Sequence, residues 1–457
     1  MRVNQNISGR KNEQGIIITL VAVFMLFVVG AMAALSIDVV TLYTARSEAQ
    51  LAADAAALAG ARVLANSGMT SASSSAVGDN AVPLAIAVAT QVAASSMVGG
   101  RTLNPGASPC TAGQEICVNI PETGVDFVAN PHVIVQVQRA DLPAFFARIW
   151  GTTQVKVAAS ATAEVYNPSN LAGTTPLPVA PSCVKPWLLP NIDPSSPTNP
   201  IFVAATGAIA PTAIGLLGWQ TPAGFGGNPK LRTDCGVGTC AVGNSPTVWR
   251  YYAGTTDPTV GDFPAPPASS VSCTGCTGFS SFQLSIAGCE QTPIKCNQIV
   301  HIDTTTTNQD IETRDAVNGL IHSAGDGGDS VDTTASTPPT GTAPFQFLAG
   351  SENPVVLSGS LAAGSDVMVS DSLVTVPVID ATATNWPPAI GFPAVQIIGF
   401  MQLFLSPTGI PAPGNGRLHT QVINLVGCGT PATGGATGQP ILGNGASPVA
   451  VRLISPP

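Results

Sequence analysis

Ten cysteines are the residues in this sequence with the clearest chemical potential. They are Cys110, Cys117, Cys183, Cys235, Cys240, Cys273, Cys276, Cys289, Cys296 and Cys428. Cys273 and Cys276, with Cys289 and Cys296, have a spacing that could hold zinc, and the first two could form a redox dithiol. A thioredoxin-like dithiol needs a strand before it and a helix after it, whereas Gly, Thr and Ser surround this one. An even number of cysteines favours structural disulfides in an oxidising compartment, so we expect no metal and no cofactor here.

The cysteine spacings suggest some pairs and leave the others open. Two pairs are close enough in sequence to staple hairpins or loops, and a third could tie together the ends of a C-terminal region. These pairs are Cys110 with Cys117, Cys235 with Cys240, and Cys183 with Cys428. The full connectivity is not deducible from the sequence, because many pairings are compatible with ten cysteines.

An acidic loop is the next candidate for metal chemistry. The sequence GDGGDSVD gathers Asp326, Asp329 and Asp332, whose carboxylates could hold calcium. The spacing of an EF-hand and its closing Glu are missing. We therefore expect a solvated acidic turn.

Four histidines could act as bases or ligands, but their spacing does not support either role. They are His132, His301, His322 and His419. None lies in HExxH, beside a GxSxG serine or within ligand spacing of a cysteine. The sequence also has no Walker loop and no GxGxxG that opens a helix. We therefore expect neither an enzyme nor a nucleotide-binding protein.

The composition limits the possible partners. The chain has 457 residues, of which 45% are hydrophobic and only 9% charged, with a net charge of −9. No two basic residues are adjacent after Lys11, so no stripe for binding phosphates exists and we expect no nucleic acid. The 47 Gly and 40 Pro residues are typical of a turn-rich, β-leaning surface protein.

One segment is long and apolar enough to cross a membrane. Ile16 to Ile37 contains no charge and spans about 33 Å as a helix, which matches a hydrocarbon core of about 30 Å. Arg10 and Lys11 precede it and Asp38 follows it, so residues 1–15 should stay in the cytoplasm. The alternative is a cleaved signal peptide, since Ala31-Met32-Ala33 has the small-x-small form. The run continues past Ala33, so we expect a retained single-pass anchor.

The helix should continue beyond the membrane. Residues 38–65 are rich in Ala, contain no Pro and end before Ser67-Gly68, a plausible helix stop. Small residues recur every four positions on one side. This stripe consists of Ala49, Ala53, Ala57 and Ala61. A neighbouring element can approach closely there, either within the same domain or from another subunit.

Shorter elements should follow the long helix. The pattern predicts a helix over residues 79–98, then strands at 116–120 and 132–138, a short helix from Asp141 to Trp150, and a strand at 154–165. The expected fold class is α+β, with the transmembrane helix continuing into a long helix packed on a small sheet.

Composition changes near residue 167. Pro168, Pro176, Pro178 and Pro181 lie among small polar residues, which is typical of an inter-domain linker at 167–182. From 183 to 457, short apolar runs at 354–357, 366–369, 373–379 and 395–405 predict an all-β, disulfide-containing region.

The apolar segment follows Gly15 and ends at Asp38, and Tyr43, Arg46, Gln50 and Asp54 come after it in the Ala-rich helix. This order of features resembles the N-terminal module of TadE/TadG-like proteins of the bacterial Flp (Tad) pilus assembly system. The resemblance covers about fifty residues, from EQGIIITLVAVF to ARVLA, and follows the family's order of features. The matching positions are Gly15, Asp38, Tyr43, Arg46, Gln50 and Asp54. The stretch ADLPAFFARIWGTTQVKVAASATAEV is similar to the later half of that module. The resemblance implies a pilin-like α+β module at 38–166.

Two departures limit what the resemblance implies. Pilin-like relatives cut by a prepilin peptidase carry an acid five residues after the cleavage Gly, but Leu20 stands at that place after Gly15. Other TadG-like proteins carry a D-x-S-x-S metal site, which this sequence lacks. Neither cleavage at Gly15 nor a metal-dependent adhesion site is therefore expected.

Three functions remain open. The leading interpretation is a non-enzymatic component of Flp/Tad pilus assembly or secretion in the inner membrane, with other pilus assembly proteins as partners and its bulk periplasmic or at the cell surface. The second is an anchored adhesin or envelope protein that shares only the N-terminal module. The third is an exported enzyme or thiol oxidoreductase.

Overall fold

The structure is a computed structural model in which most of the chain can be described. It describes residues 10–71, 78–105, 110–111, 113–122, 130–144, 146, 151, 154–171, 176–193, 198–213, 231–232, 249–250, 276–301, 309–322, 327–331, 345–367, 370–380, 394–405, 417–418, 420–429, 438–442 and 447–454.

The helices are α1 Arg10–Asn66, α2 Gly78–Ser95, α3 Ser281–Ala287, α4 Gln309–Leu320 and α5 Pro354–Leu357. The strands are β1 Met97–Val98, β2 Arg101–Thr102, β3 Ile116–Asn119, β4 His132–Pro143, β5 Gln154–Tyr166, β6 Val179–Ala180, β7 Trp187–Pro190, β8 Leu231–Arg232, β9 Trp249–Arg250, β10 Ile299–His301, β11 Ser330–Val331, β12 Phe347–Leu348, β13 Asp366–Val367, β14 Leu373–Ile379, β15 Ala394–Leu405, β16 Arg417–Leu418, β17 Thr420–Gly427, β18 Ile441–Leu442 and β19 Ala450–Ile454.

Helix α1 is a single rod of 57 residues, about 85 Å long. Its Ala-rich second half has high helix propensity and no proline interrupts it. It ends where predicted, because Gly68 adopts a left-handed φ of 81° that lets the chain turn away. The prediction that the N-terminal apolar helix continues without a break into a long Ala-rich helix is confirmed.

The first part of α1 is apolar and packs against nothing in the described part of the chain. From Gly15 onward it contains a window of mean hydropathy 2.9, with none of that window buried. Large side chains such as Leu26 and Phe27 are 75% and 70% exposed. It is the one helix, among the residues described, long and apolar enough to cross a membrane.

The long helix packs on a four-stranded antiparallel sheet with strand order β19-β5-β4-β3. Alternate residues of β4, among them Val133, Val135 and Val137, are fully buried beneath the helices. Helix α2 covers α1 and β3. The helix predicted over 79–98 is confirmed as far as Ser95, and its last two residues instead form β1. The predicted strands near 116, 132 and 154 are confirmed and form the expected small sheet under the long helix.

The predicted short helix from Asp141 is wrong over its first residues. Strand β4 continues through Pro143, and Leu142 and Pro143 pair with Val155 and Gln154 of β5 after a bulge. Asp141 and Pro143 resemble a helix start locally, but pairing with β5 takes precedence. Residues 147–150 lie outside the described part of the chain.

A second sheet lies beyond residue 183. Its order is β10-β15-β14-β7-β9, with β17 also paired to β15. Every residue of β14 and β17 is buried, because the sheet is covered on both faces. Phe400 and Val426 join the core of the N-terminal module, whereas Val376 and Leu403 pack in a core that includes residues of α3 and α4.

The expectation of an all-β second region needs correction, although the region is rich in strands. Helices α3 and α4 cover one face of its sheet. Residues 354–357, predicted as a strand, form α5, because the Asn353 side chain caps it and Pro354 suits the first turn. The remaining short strands pair as β1 with β2, β11 with β12 and β12 with β13, β8 with β16, and β6 with β18.

The segment predicted as a linker does not behave as an extended spacer over its described residues. Residues Pro168–Leu171 form a short 3-10 helix in which Pro168 and Ser169 are buried. The Ser169 hydroxyl accepts from Gly427 N at 2.7 Å. Strand β6 pairs in parallel with β18. Burial and these bonds hold the described residues of the segment against neighbouring parts of the chain.

Buried polar contacts also join the end of α1 to β17. Asn424 Nδ2 donates to Ala65 O at 2.7 Å and to Gln402 Oε1 at 2.6 Å. The Ser71 hydroxyl donates to Leu425 O at 3.0 Å and accepts from Leu425 N at 2.9 Å. We call these contacts the α1–β17 joint. Because buried hydrogen bonds are costly to break without replacement, the joint holds the rod firmly to the second sheet.

Candidate functional site

The alanine stripe lies inside the chain. Ala49, Ala53, Ala57 and Ala61 are all fully buried where α1 packs on its own module. The side chains that the sequence suggested as a contact surface are thus already covered. The structure brings the four together on one face, but it assigns them to packing within the domain and not to another subunit.

Close packing on this side of α1 centres on Gly60. A Cβ at Gly60 would lie 3.1 Å from Ala89 Cβ and from Val133 Cγ1, and 3.2 Å from Ala85 O. Ordinary carbon contacts are about 3.5 to 4.0 Å, so only glycine fits without displacement. Small residues on both helices therefore let α1 and α2 approach closely above the sheet.

Three family-motif positions tie α1 to the sheet. Asp38 is 6% exposed, and its Oδ2 accepts from Phe146 N, in the connection between β4 and β5, at 3.0 Å. Gln50 Nε2 donates to Asp54 Oδ1 at 2.8 Å and to Ser160 O at 3.1 Å. These residues position the helix over the strands, which gives the motif a structural role.

The other three motif positions remain exposed. A Cβ added at Gly15 would meet no described atom within 4 Å, and this glycine lies in the apolar half of α1. Tyr43 is 71% exposed, and Arg46 is exposed about one turn further along. Tyr43 and Arg46 both border a groove at the point where α1 meets β5.

We call this groove the foot groove, because it begins directly after the apolar run of α1. It has a volume of about 380 Å³ and is lined by Val39, Leu42, Tyr43, Arg46, Val155, Lys156, Val157 and Ala158. A larger polar groove of about 900 Å³ adjoins it, and Arg46, Lys156 and Ala158 line both. Sequence reasoning did not single out Lys156. The signal that could have found it is that Lys156 is the only cation in its strand.

A charged cluster holds the β1–β2 hairpin to the sheet. Arg139 is 6% exposed and donates from Nε to Asp141 Oδ1 at 2.7 Å. Arg101 bonds to Glu115 and, at 3.1 Å, to Asp141. Hydrogen bonds from Arg101 hold the pKa of Glu115 below its usual range, and those from Arg139 do so for the pKa of Asp141. The cluster pairs every charge it contains, which suits a structural role.

A second titratable cluster lies beside the second sheet. His322 is flanked by Glu352 Oε2 at 3.2 Å from Nδ1 and Asp371 Oδ2 at 3.2 Å from Nε2. The hydrogen bond with Asp371 raises the pKa of His322. Lys185 is buried, donates to the carbonyls of Ile286 and Gly288, and has its pKa lowered by burial to about 8.

Three disulfides are present among the described residues. Cys110 pairs with Cys117 as predicted, across a Cα separation of 5.3 Å. The predicted pairing of Cys183 with Cys428 is wrong. Strand packing instead brings Cys183 to Cys289 and Cys296 to Cys428. Cys276 is also disulfide-bonded. Cys235, Cys240 and Cys273 lie outside the described residues.

The acidic loop is only partly described. Asp329 is 5% exposed, and its carboxylate accepts from Gly350 N at 2.8 Å and from Asn353 Nδ2 at 2.9 Å. This carboxylate holds a turn and is not solvated as expected. Asp326 and Asp332 lie outside the described residues. Within the part of the chain that the structure describes, no group of three His, Cys, Asp or Glu side chains could hold a metal.

The remaining histidines are dispersed. His132 Nδ1 lies 2.7 Å from Glu122 Oε1 at the start of β4, so this contact helps to hold the beginning of the strand. His301 lies in β10, and His419 lies outside the described residues.

These elements define an α+β protein whose N-terminal helix could span a membrane and continues into a compact module. Residues 17–63 match the family model described as "Putative Flp pilus-assembly TadE/G-like". The match lies wholly within α1 and confirms the resemblance drawn from the sequence. No curated protein and no solved structure matches the chain.

Proposed function

We propose that the chain is a membrane-anchored, non-enzymatic component of a Flp/Tad-type pilus assembly or secretion apparatus. It acts by helix packing and by display of the region beyond residue 182. The observation that carries the proposal is the TadE/G-like match at 17–63, within a helix that runs unbroken from the apolar segment into the module.

The proposed location is the inner membrane, with the N-terminus in the cytoplasm and the bulk of the chain in the periplasm or at the cell surface. Arg2, Arg10 and Lys11 precede the apolar run and Asp38 follows it, which favours this orientation. Disulfides form and persist in oxidising compartments, so the three described bridges support export of everything beyond Cys110.

The proposed mode of action follows from what α1 leaves uncovered. The alanine stripe is used within the chain, but Val40 and Leu51 on other sides of the rod are 63% and 66% exposed. Exposed large apolar side chains on a rigid helix suit contact with another pilus assembly protein. The α1–β17 joint would hold the displayed region in a defined position relative to such a partner.

Two measurements test the pilus assignment. Deletion of the gene should remove surface pili, and the wild-type chain should restore them. A photo-crosslinking residue at Leu51 should then capture a pilus assembly protein, whereas one at Leu357, which is also 70% exposed but lies on α5, serves as the matched control. Normal piliation after deletion contradicts the proposal, and loss of adhesion alone would favour an anchored adhesin.

Reporter fusions test the topology. Alkaline phosphatase fused after Pro457 should be active, and β-galactosidase at the same place should be inactive, because the first enzyme works only when exported. The opposite pattern would overturn the orientation. The purified chain should begin near Met1. A mature N-terminus at Ala34 would show cleavage of a signal peptide and loss of the anchor.

A further inference from the structure

The foot groove combines two kinds of surface. Val39 and Leu42 from α1, with Val155 and Val157 from β5, give it an apolar lining. Arg46 and Lys156 stand where it meets the neighbouring polar groove. An apolar cleft bordered by two cations is complementary to a molecule with a hydrocarbon part and an anionic part.

The position of the groove relative to the apolar run fits the edge of a bilayer. Asp38 is the first charge after the run, and Val39 follows it directly. At 1.5 Å rise per residue, Tyr43 lies about 7.5 Å and Arg46 about 12 Å beyond Asp38. The headgroup layer on each side of a bilayer is about 5 to 8 Å thick. Helical side chains lean toward the N-terminus, so the long Arg46 side chain extends back toward this layer.

The two cations are not used elsewhere in the described part of the chain. Arg46 and Lys156 are exposed, and neither has a hydrogen-bond or ion-pair partner among the described residues. Other arginines of the module, such as Arg101, Arg139 and Arg452, are paired with carboxylates. In a chain with a net charge of −9, two neighbouring cations at one groove are available for an anion. Tyr43 adds an aromatic ring of the kind enriched at membrane interfaces.

We propose that the foot groove binds the headgroup of an anionic glycerophospholipid, whose phosphate meets Arg46 and Lys156 while its glycerol and upper acyl carbons contact the valines. The proposal rests on the membrane insertion of α1 proposed above, and it adds a lipid partner to that function. Each cation near an anionic lipid surface contributes about a fivefold preference, so the pair should favour anionic over zwitterionic lipid by roughly thirtyfold at low salt.

The test uses the full chain with p-benzoylphenylalanine in place of Tyr43, which keeps an aromatic ring at the groove. The chain is placed in phosphatidylcholine nanodiscs that contain a small amount of either radiolabelled phosphatidylglycerol or radiolabelled phosphatidylcholine. Crosslinking should favour phosphatidylglycerol by roughly thirtyfold at low salt and less at high salt. Equal labelling of the two lipids would refute the proposal.

Two double variants, each lacking two positive charges, test whether the lipid preference arises at Arg46 and Lys156. Arg46→Gln with Lys156→Gln should abolish the preference, whereas Arg62→Gln with Lys295→Gln, which removes the same charge elsewhere, should retain it. Circular dichroism should show that both double variants retain the fold, since the four side chains are exposed. A preference that survives in the first double variant would show that these cations do not form the site.

Further outcomes separate the possible occupants. If added inorganic phosphate removes the preference for phosphatidylglycerol at constant ionic strength, the groove is a site for a free anion. Crosslinking to a protein in native membranes, with no lipid labelled, would make this face a protein interface. Either result overturns the lipid assignment. Absence of every crosslink would mean that α1 is not inserted, whereas failure of lipid preference alone would leave the pilus assignment untouched.

Discussion

Replacing Gly60 by alanine should have two opposing effects on stability, because helix propensity improves while packing worsens. In an exposed helix position, replacing glycine by alanine stabilises by about 1 kcal/mol. Here the new Cβ would contact Ala89 and Val133 at 3.1 Å and the carbonyl oxygen of Ala85 at 3.2 Å. Two of these atoms belong to α2 and one to β4, so no single side-chain rotation relieves all three contacts.

Relief requires α2 to move away from α1 by a few tenths of an ångström, which weakens dispersion contacts along the whole helix pair. Overpacking of this kind costs about 1 to 3 kcal/mol. The gain in helix propensity offsets part of this packing cost. We therefore expect Gly60→Ala to lower the free energy of unfolding by about 1 kcal/mol.

Urea titration of the full chain in mild detergent, followed by circular dichroism, measures this change. Ala55→Gly provides the calibration, because Ala55 is exposed on the same helix and its replacement should report propensity alone, about 1 kcal/mol of destabilisation. If Gly60→Ala instead raises stability by a similar amount, the close approach of α1 and α2 is not as described.

Two further predictions concern the disulfides and the partly buried His322. Replacing Cys296 and Cys428 by alanine should cost about 2 to 5 kcal/mol, and more than replacing Cys110 and Cys117, because the bonded residues are 132 positions apart in the first pair and 7 in the second. Denaturant titrations that give equal losses would contradict this account. His322→Asn should be destabilising below about pH 6.5, and the difference from wild type should fade as pH rises through the raised pKa of His322. Urea titrations of both chains over a pH series measure this difference in the free energy of unfolding. A difference that stays constant with pH would contradict the prediction.

The long helix could be predicted from sequence because its signals are local. An uncharged run, an Ala-rich continuation and a terminal Gly68 each act within a few residues, and no competing pattern interferes. Strands β14 and β15 were also visible as apolar runs, the first bounded by Ser372 and Asp380 and the second by Pro393 and Ser406. In contrast, the stretch at Asp141 has a local helix signal, but its carboxylate pairs with Arg139 and its backbone pairs with β5.

The candidate site was only partly predictable for the same reason. Tyr43 and Arg46 entered as family-motif positions, all of which lie within α1. Lys156 belongs to a different element, and a lone lysine in a strand is normally a solvent-facing residue. Only the packing of β5 beside α1 places it at the foot groove. Likewise, the partners of Cys183 and Cys428 depend on the register of distant strands, which spacing does not encode.

Strand β19 has a consequence for the order of events during synthesis. Its residues 450–454 pair with residues 162–166 of β5, and Arg452 bonds to Glu164 across 288 positions of sequence. The first sheet to cross the membrane in the proposed topology therefore stays open along this edge until the final strand has crossed. Such distant pairing is slow to form. The emerging chain must consequently be shielded for the whole of its translocation, and a truncated product would expose an unpaired strand and invite aggregation or proteolysis.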